Sequence, residues 1–542
     1  MITTYKRLIK EYALYILLSK YLFAVLLSIM GFKNHKDWTY ILVTMLEVTS
    51  IATFSNLLLK EKKLTAYIAN SILLLIVNVQ NIVLFFGGSF TTLVMVTNLE
   101  SLESLSGRFA SILFGMICIL IFTFLPITYL RAEKIKWSTV LSSSLLVELI
   151  VTLMSGNIYS PIFGVYQLAA DAYEYQQDLA KIANAPNVTD YFYRNTIQNA
   201  RPKPDSLSAT PNVVLIFVEG LSQNIVEDER EIMPNLKKFQ ESSLAFENYY
   251  NHTFATYRGL IGQLYSGYQL DNYESNTLTS LQGVLGDRGY QTTFINTEPN
   301  NTQFTSYLES FNFDTIVNEN DLAEGPNGSL TDQAALELLY DTIENQVSQK
   351  TPFLTAIYTY GTHMTFDSAD KMFEDGKNIL FNRFYNFDYY FSQFLEKFTS
   401  NPAFDNTILV FTADHATFAD KDFKAAYPSY NRENQDVDRV PFIVYHKGIG
   451  AEQKDVEGRN SLDLVPTLLD YMDISEPNYF LGESLFYYKE NNNSFDTVFF
   501  DNAYLLSTDY GNIQPLSETN EETVKALLQK YFAAKQQKPQ MP

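Results

Sequence analysis

The stretch NTILVFTADHAT, residues 406–417, carries an unbroken apolar run, Ile408 to Phe411, into Thr412-Ala413 and then into two strong metal-ligand types side by side, Asp414 and His415. Two other apolar runs end in comparable groups. NVVLIFVE delivers Glu219, and PFLTAIYTYGTH delivers His363. A single His or Asp after a strand is ordinarily a turn or cap residue, and a motif is a hypothesis until its context is known. Three such runs are a different pattern, because ligands of open α/β sheets bind outside the carboxyl ends of the strands. Oxygen and nitrogen donors without thiolate suit one divalent ion: Mn²⁺, Mg²⁺ or Zn²⁺.

Such an ion needs a group that attacks. NHTFATYRGLIGQLYSG (251–267) sets Thr253 and Thr256 just ahead of Arg258-Gly259 and an apolar turn, as where a loop enters a helix. A hydroxyl there can be activated by a metal that lowers its pKa, while N–H groups at the helix start face phosphate. Arg258 then counters phosphate charge, or is a helix-surface residue. Thr256 taken alone reads as an N-cap threonine.

These residues need elements to position them. From residue 212 onward, short apolar runs at 212–218, 290–296, 352–360, 407–412 and 440–446 alternate with helical patterns near 233–242, 277–288, 331–347, 380–398 and 461–472. Runs apolar on both faces and separated by helices indicate a mostly parallel sheet covered on both sides. Ahead of them lie five runs of membrane-spanning length, near 9–31, 39–59, 65–87, 109–130 and 137–155. None ends in a short apolar core with a small-residue cleavage site, so they read as spans and not as a removed signal peptide. Basic residues cluster in the N-terminal tail (Lys6, Arg7, Lys10) and in the second and fourth loops (Lys60, Lys62, Lys63; Arg131, Lys134, Lys136). That bias places the N-terminus in the cytoplasm, and five crossings leave everything after residue 156 outside.

Charge follows the same division. Up to residue 156 there are 13 basic and 8 acidic residues, a net of +5, and the remainder carries −27 against −22 for the whole chain. So acidic a domain repels nucleic acid and anionic lipid surfaces at long range. The only cysteine, Cys118, falls in the fourth expected span, which leaves the external part without disulfides. The expected domains are a five-helix membrane domain (1–156), an interfacial or connector helix and a linker (157–210, with the helix over 166–183), a catalytic domain (211–510), and a C-terminal helix with a tail (511–542).

The stretches NVVLIFVEGLS, TFATYRGLIGQLYSG, GSLTDQAALELL, PFLTAIYTYGTH, TILVFTADHA, VPFIVYHKG, SLDLVPTLLDYMDI and FLGESLF occur in the order seen in the sulfatase/alkaline-phosphatase superfamily. The chain resembles its membrane-anchored branch, lipoteichoic acid synthase and related phosphoglycerol and phosphoethanolamine transferases. The resemblance implies five spans followed by an extracellular α/β sulfatase-like domain. It implies one divalent metal, Mn²⁺ in the synthase, held by Glu219, Asp414, His415 and a nucleophilic Thr256, with His363 on the substrate side. It implies transfer of phosphoglycerol from phosphatidylglycerol to a cell-surface glycan or glycolipid acceptor. His252 and His446 have no counterpart and read as structural. True sulfatases need a cysteine or serine in a Cys/Ser-x-Pro-x-Arg context, and threonine stands there instead. The chain departs from the synthase over 296–314, which has neither Trp nor Arg and offers Glu298, Asn300, Asn301 and Gln303. A carboxylate there favours a cationic head group such as ethanolamine, or belongs to a surface loop. The remaining alternatives are a phosphodiesterase of the same superfamily and a non-catalytic anchored binding domain. The intact set Glu219, Thr256, Asp414 and His415 argues against the last.

Overall fold

The computed structural model describes residues 12–87, 89–97, 109–131, 134–155, 158–185, 194–195, 201–269, 276–364, 366–368, 370–430, 432, 437–487, 498–500 and 505–537. They divide into two compact units, Met1–Asp178 and Leu179–Pro542.

In the first unit, α1 (Ala13–His35), α2 (Thr39–Leu59), α3 (Lys63–Gly87) and, after the shorter α4 (Phe109–Thr123), α5 (Trp137–Ser155) follow one another. Among the described residues four of these, α1, α2, α3 and α5, are long and apolar enough to cross a membrane. The fourth expected span, 109–130, is corrected. Helix α4 stops at Thr123 and residues 124–131 continue without helix. Pro126 has no N–H to contribute and blocks a helix through it. The backbone groups left over are satisfied by side chains of other helices. Lys20 donates to the Leu125 carbonyl at 2.9 Å and Tyr67 to that of Phe124 at 2.8 Å, while Asn56 exchanges two bonds with the backbone of Leu130. Away from water, non-helical backbone is tolerated only where the protein itself pairs it. The helix expected over 166–183 is α6 (Pro161–Ala183), which starts earlier because proline's fixed φ suits a first helical turn.

The second unit is built on an eight-stranded sheet: β1 (Asn212–Val218), β2 (Leu244–Glu247), β3 (Gln291–Asn296), β4 (Thr315–Asn318), β5 (Phe353–Thr359), β6 (Thr407–Ala413), β7 (Phe442–Tyr445) and β8 (Glu452–Asp455), in spatial order β4-β3-β5-β1-β6-β7-β2-β8. Only β7 runs against the rest. The expected mostly parallel sheet is present. Every residue of β5 and β6 is buried and every residue of β1 after Asn212, as strands covered on both faces require.

Register does the positioning. Val218 pairs with Thr359 on one side and with Ala413 on the other, so β1, β5 and β6 end level. The next residues of the three strands, Glu219, Tyr360 and Asp414, therefore emerge side by side. On the far side of β5, Ile295 of β3 pairs with Ile357, which brings Glu298 out at the level of Tyr360.

Helices α7 (Thr256–Tyr265), α8 (Thr302–Glu309), α9 (Asp332–Ser348), α10 (Ile379–Ser400) and α11 (Leu464–Tyr471) belong to the same unit. The helix expected within 511–542 is α12 (Glu518–Gln537), and it packs onto this unit. Its Val524, Leu528, Tyr531, Phe532, Ala533 and Ala534 are buried, and Lys535 donates to the Tyr268 carbonyl and the Gln269 side chain just beyond α7. Gly267 makes this possible, since a Cβ there would lie 1.9 Å from the Tyr531 hydroxyl. Tyr531→Ala is expected to cost about 3 kcal/mol, the range for truncating a buried aromatic, read as a lowered midpoint in denaturant unfolding of the full chain.

Candidate active site

Four expected groups meet at the level ends of β1 and β6. Ligand atoms of Glu219, Asp414 and His415 lie within 4.8 Å of one another, and all three residues are buried. The Thr256 hydroxyl donates to Glu219 Oε2 at 2.9 Å. Thr256 is the first residue of α7, and Ala255 occupies the N-cap without a side-chain bond. The threonine is thus not a cap. Its hydroxyl is directed at a carboxylate.

Two features force α7 into this place. Ala255 adopts φ +76°, ψ 134°, a conformation a Cβ disfavours by about 1–3 kcal/mol and one that persists only where surroundings over-determine it. Gly259, one turn on, lets the helix lie against the end of β6, because a Cβ there would sit 2.2 Å from the Asp414 carbonyl oxygen. Gln263 on the next turn donates to the Ala413 carbonyl at 2.9 Å.

Each ligand is oriented from behind. Asp414 Oδ1 accepts from the Gly220 N–H at 2.8 Å and the His415 N–H at 2.7 Å, which leaves Oδ2 without a partner. His415 Nδ1 lies 2.7 Å from the Ala416 carbonyl, a contact that places a ring proton there and turns Nε2 to the cluster. Nε2 is buried without a hydrogen bond, 3.4 Å from Glu219 Oε1 and 3.5 Å from Asp414 Oδ2. Tyr358 donates to Glu219 Oε2 at 2.5 Å.

The electrostatics tell the same story. Burial alone would raise the Glu219 carboxyl, yet His415 beside it, then His363 and Tyr358, hold it well below the usual range. Burial, and then the charge of Glu219, push Asp414 well above that range. Burial would lower His415, but Asp414 and Glu219 hold it up to about 9. Two carboxylates this close without water cannot both stay charged unless positive charge joins them. The orphaned Asp414 Oδ2 and His415 Nε2 converge with Glu219 Oε1 on one point, which fits a divalent cation.

The other expected residues stand around this core. His363 follows β5, its ring 4.9 Å from that of Tyr360 and 5.7 Å from that of Phe366, and burial lowers its pKa below the ordinary 6.5 while Glu219 opposes that shift. Glu298 is buried, not part of a surface loop. It accepts from Asn301 at 3.0 Å, and its charge adds to the effect of burial in raising the phenols of Tyr358 and Tyr360. Arg258 is half-buried on the first turn of α7. Of the two histidines read as structural, His252 contacts Ser461 Oγ at 2.6 Å and His446 the Tyr471 hydroxyl at 2.9 Å. Two buried polar residues that touch this site or the His363 loop went unread in the sequence. Tyr358 sits inside a fully buried strand, with nothing in the pattern to single it out. Arg383 lies on the second turn of α10, where only a charge in a largely aromatic stretch marks it.

Residues 211–474 match the sulfatase family model. An uncharacterized protein of Haemophilus influenzae is 23% identical over 243 residues, covering 44% of this chain, and the chain spans 37% of the length of that relative. Among solved structures, a protein in the alkaline phosphatase superfamily from Vibrio parahaemolyticus aligns with TM-score 0.51 and 17% identity, covering 67% of this chain and 96% of its own. A lipoteichoic acid synthase from Listeria monocytogenes aligns with TM-score 0.50 and 16% identity over 65% and 95%. An integral-membrane lipooligosaccharide phosphoethanolamine transferase from Neisseria meningitidis aligns with TM-score 0.54 and 14% identity over 85% and 95%. At these identities the likeness is one of fold. The chain carries a sulfatase-like α/β domain after N-terminal helices, four of which, among the described residues, are long and apolar enough to cross a membrane.

Gly259→Ala is expected to part α7 from β6. Overpacking of this kind costs about 1–3 kcal/mol, and divalent-ion affinity, measured by titration calorimetry on the full chain, should fall while Gly286→Ala, where a Cβ meets open space, leaves it unchanged.

Proposed function

We propose that this chain moves a phosphoglycerol group from phosphatidylglycerol, through a phospho-threonine at Thr256, to a cell-surface glycan or glycolipid, with the N-terminus in the cytoplasm and the sulfatase-family domain outside. The observation that carries this reading is the Thr256 hydroxyl bonded to Glu219 within the buried Glu219–Asp414–His415 cluster. Mn²⁺, the ion favoured by the resemblance, held by these three residues and Thr256 Oγ1, would supply a lowered hydroxyl pKa and a counter-charge for the phosphoryl oxygens.

The residues share the remaining work. Thr256 Oγ1 attacks phosphorus as the bond from phosphorus to the diacylglycerol oxygen breaks. The proton lost by Thr256 is balanced by the one that oxygen gains. An acceptor hydroxyl then attacks the same phosphorus, the bond to Thr256 breaks, and the acceptor's proton returns to Thr256. His363, kept neutral by burial, carries a proton in each half. Arg258, two residues from Thr256, counters charge on the phosphate. Glu298 belongs to the head-group side, and as a buried carboxylate beside Tyr358 and Tyr360 it supports a second reading, transfer of phosphoethanolamine from phosphatidylethanolamine.

Thr256→Ala is expected to abolish turnover with the fold intact. Mass spectrometry of the Thr256 peptide after exposure to each lipid identifies the transferred group, and near-normal activity of the variant removes Thr256 as nucleophile. The lowered proton affinity of His363 places its charging below pH 6.5. Turnover should therefore hold steady as pH falls from neutral toward that value and drop only beneath it. An acid limb above neutrality would exclude His363 from the proton role.

A further inference from the structure

Helix α10 is rich in aromatic residues, and across its first turns it presents three polar side chains to the segment that follows β5. Asn382 donates to Asp367 Oδ1 at 3.0 Å and to the Gly376 carbonyl at 2.9 Å, and accepts from the Phe373 N–H at 3.0 Å. Asn386 donates to Asp332 Oδ2 at 2.7 Å and accepts from the Lys371 N–H at 3.0 Å. Between them in sequence, Arg383 Nη1 donates to the Phe366 carbonyl at 3.1 Å. Phe366 is the residue that closes the His363 turn, its N–H donating to the His363 carbonyl at 3.2 Å and its ring lying 5.7 Å from the imidazole. Arg383 thus grips the loop that carries His363.

Holding a loop does not require a charge. Arg383 is among the largest fully buried side chains, at 1% exposure, and its Nε has no hydrogen-bond partner. Among the described residues it forms no ion pair within 4 Å. A buried cation compensated this loosely adds no stability that an apolar side chain of similar volume would not. Its charge is balanced at longer range by Asp420, Asp422, Asp367 and Glu219. Asp420 lies on the segment that leaves His415, and its Oδ2 is likewise buried without a partner. The guanidinium therefore holds the loop bearing His363 and lies within electrostatic reach of the segment that continues from Asp414 and His415.

We propose that Arg383 is a positioning residue of this site, a fixed buried cation that locks the His363 loop and biases the pocket toward an anionic phosphoryl group. The inference rests on the phosphoryl-transfer reading above. A positive charge placed there attracts phosphate oxygens and mildly opposes the divalent ion, so removing it should move the two affinities in opposite directions. A purely structural arginine would move both downward together.

The test uses the full chain in detergent with Arg383→Met and Arg383→Lys, following Mn²⁺ affinity, affinity of the Mn²⁺-loaded protein for inorganic phosphate, thermal midpoint, and turnover on the lipid donor found active. Arg383→Met is expected to bind Mn²⁺ as tightly as the parent or more so. Its phosphate affinity should weaken about fivefold or more and its kcat fall about tenfold, the scale of one lost charged contact in a water-poor site. Arg383→Lys, which keeps the charge and loses the fork, should stay within about threefold of the parent in phosphate affinity. Unchanged phosphate affinity in Arg383→Met overturns the inference, as does parallel loss of metal, phosphate and thermal stability in both variants. If the parent itself turns over neither lipid, the transfer reading fails, and the two affinity measurements still decide the role of Arg383.

Discussion

Glu219 and Asp414 are carboxylates that water does not reach, brought within a few ångströms of each other by strands that end level. That juxtaposition is the constraint on which the rest of the domain depends. Like charges so placed repel, and burial denies them a solvent that would screen the repulsion. The surrounding structure answers at several points: two N–H groups on Asp414 Oδ1, two hydroxyls on Glu219 Oε2, and an imidazole whose free nitrogen faces both acids. None of these could be applied if β1 and β6 were out of step by one residue, because a single slip turns every side chain to the opposite face.

Much of this was readable in the chain. Strands buried on both faces show as continuous apolar runs, and a polar residue that ends such a run is conspicuous for its company, which is why Glu219, His363, Asp414 and His415 could be named before any fold was known. What failed to show had physical reasons. Tyr358 is as apolar in outline as its neighbours, and only its hydroxyl separates it from a core residue. Gly259 matters through a contact with a backbone atom more than 150 residues away along the chain, a relation carried by no local pattern. The span expected over 109–130 met the composition required of a crossing, yet one proline at 126 ends the regular helix before its length is reached. Hydropathy averaged over a window does not register where the hydrogen bonds stop.

The membrane unit works by the same rule as the site. Asn70 reaches Ser55 at 3.0 Å, Asn78 reaches Thr123 at 2.9 Å, and Ser50 meets Ser144 at 2.7 Å, all buried. Between helices that gain nothing by hiding apolar surface from lipid, such contacts supply directional attraction. In both units several polar groups placed in apolar surroundings are paired with one another.

Lys535 closes onto Tyr268 across 267 residues of chain, and Tyr531 fills the space left open by Gly267. The segment bearing Thr256 is therefore finished by residues that leave the ribosome long after it does. A nascent polypeptide halted shortly before Glu518 would hold every ligand of the cluster and still lack the support behind α7. Maturation of the domain is in this way tied to synthesis of Glu518–Gln537, and a product lacking that helix is left without the brace behind the segment bearing Thr256.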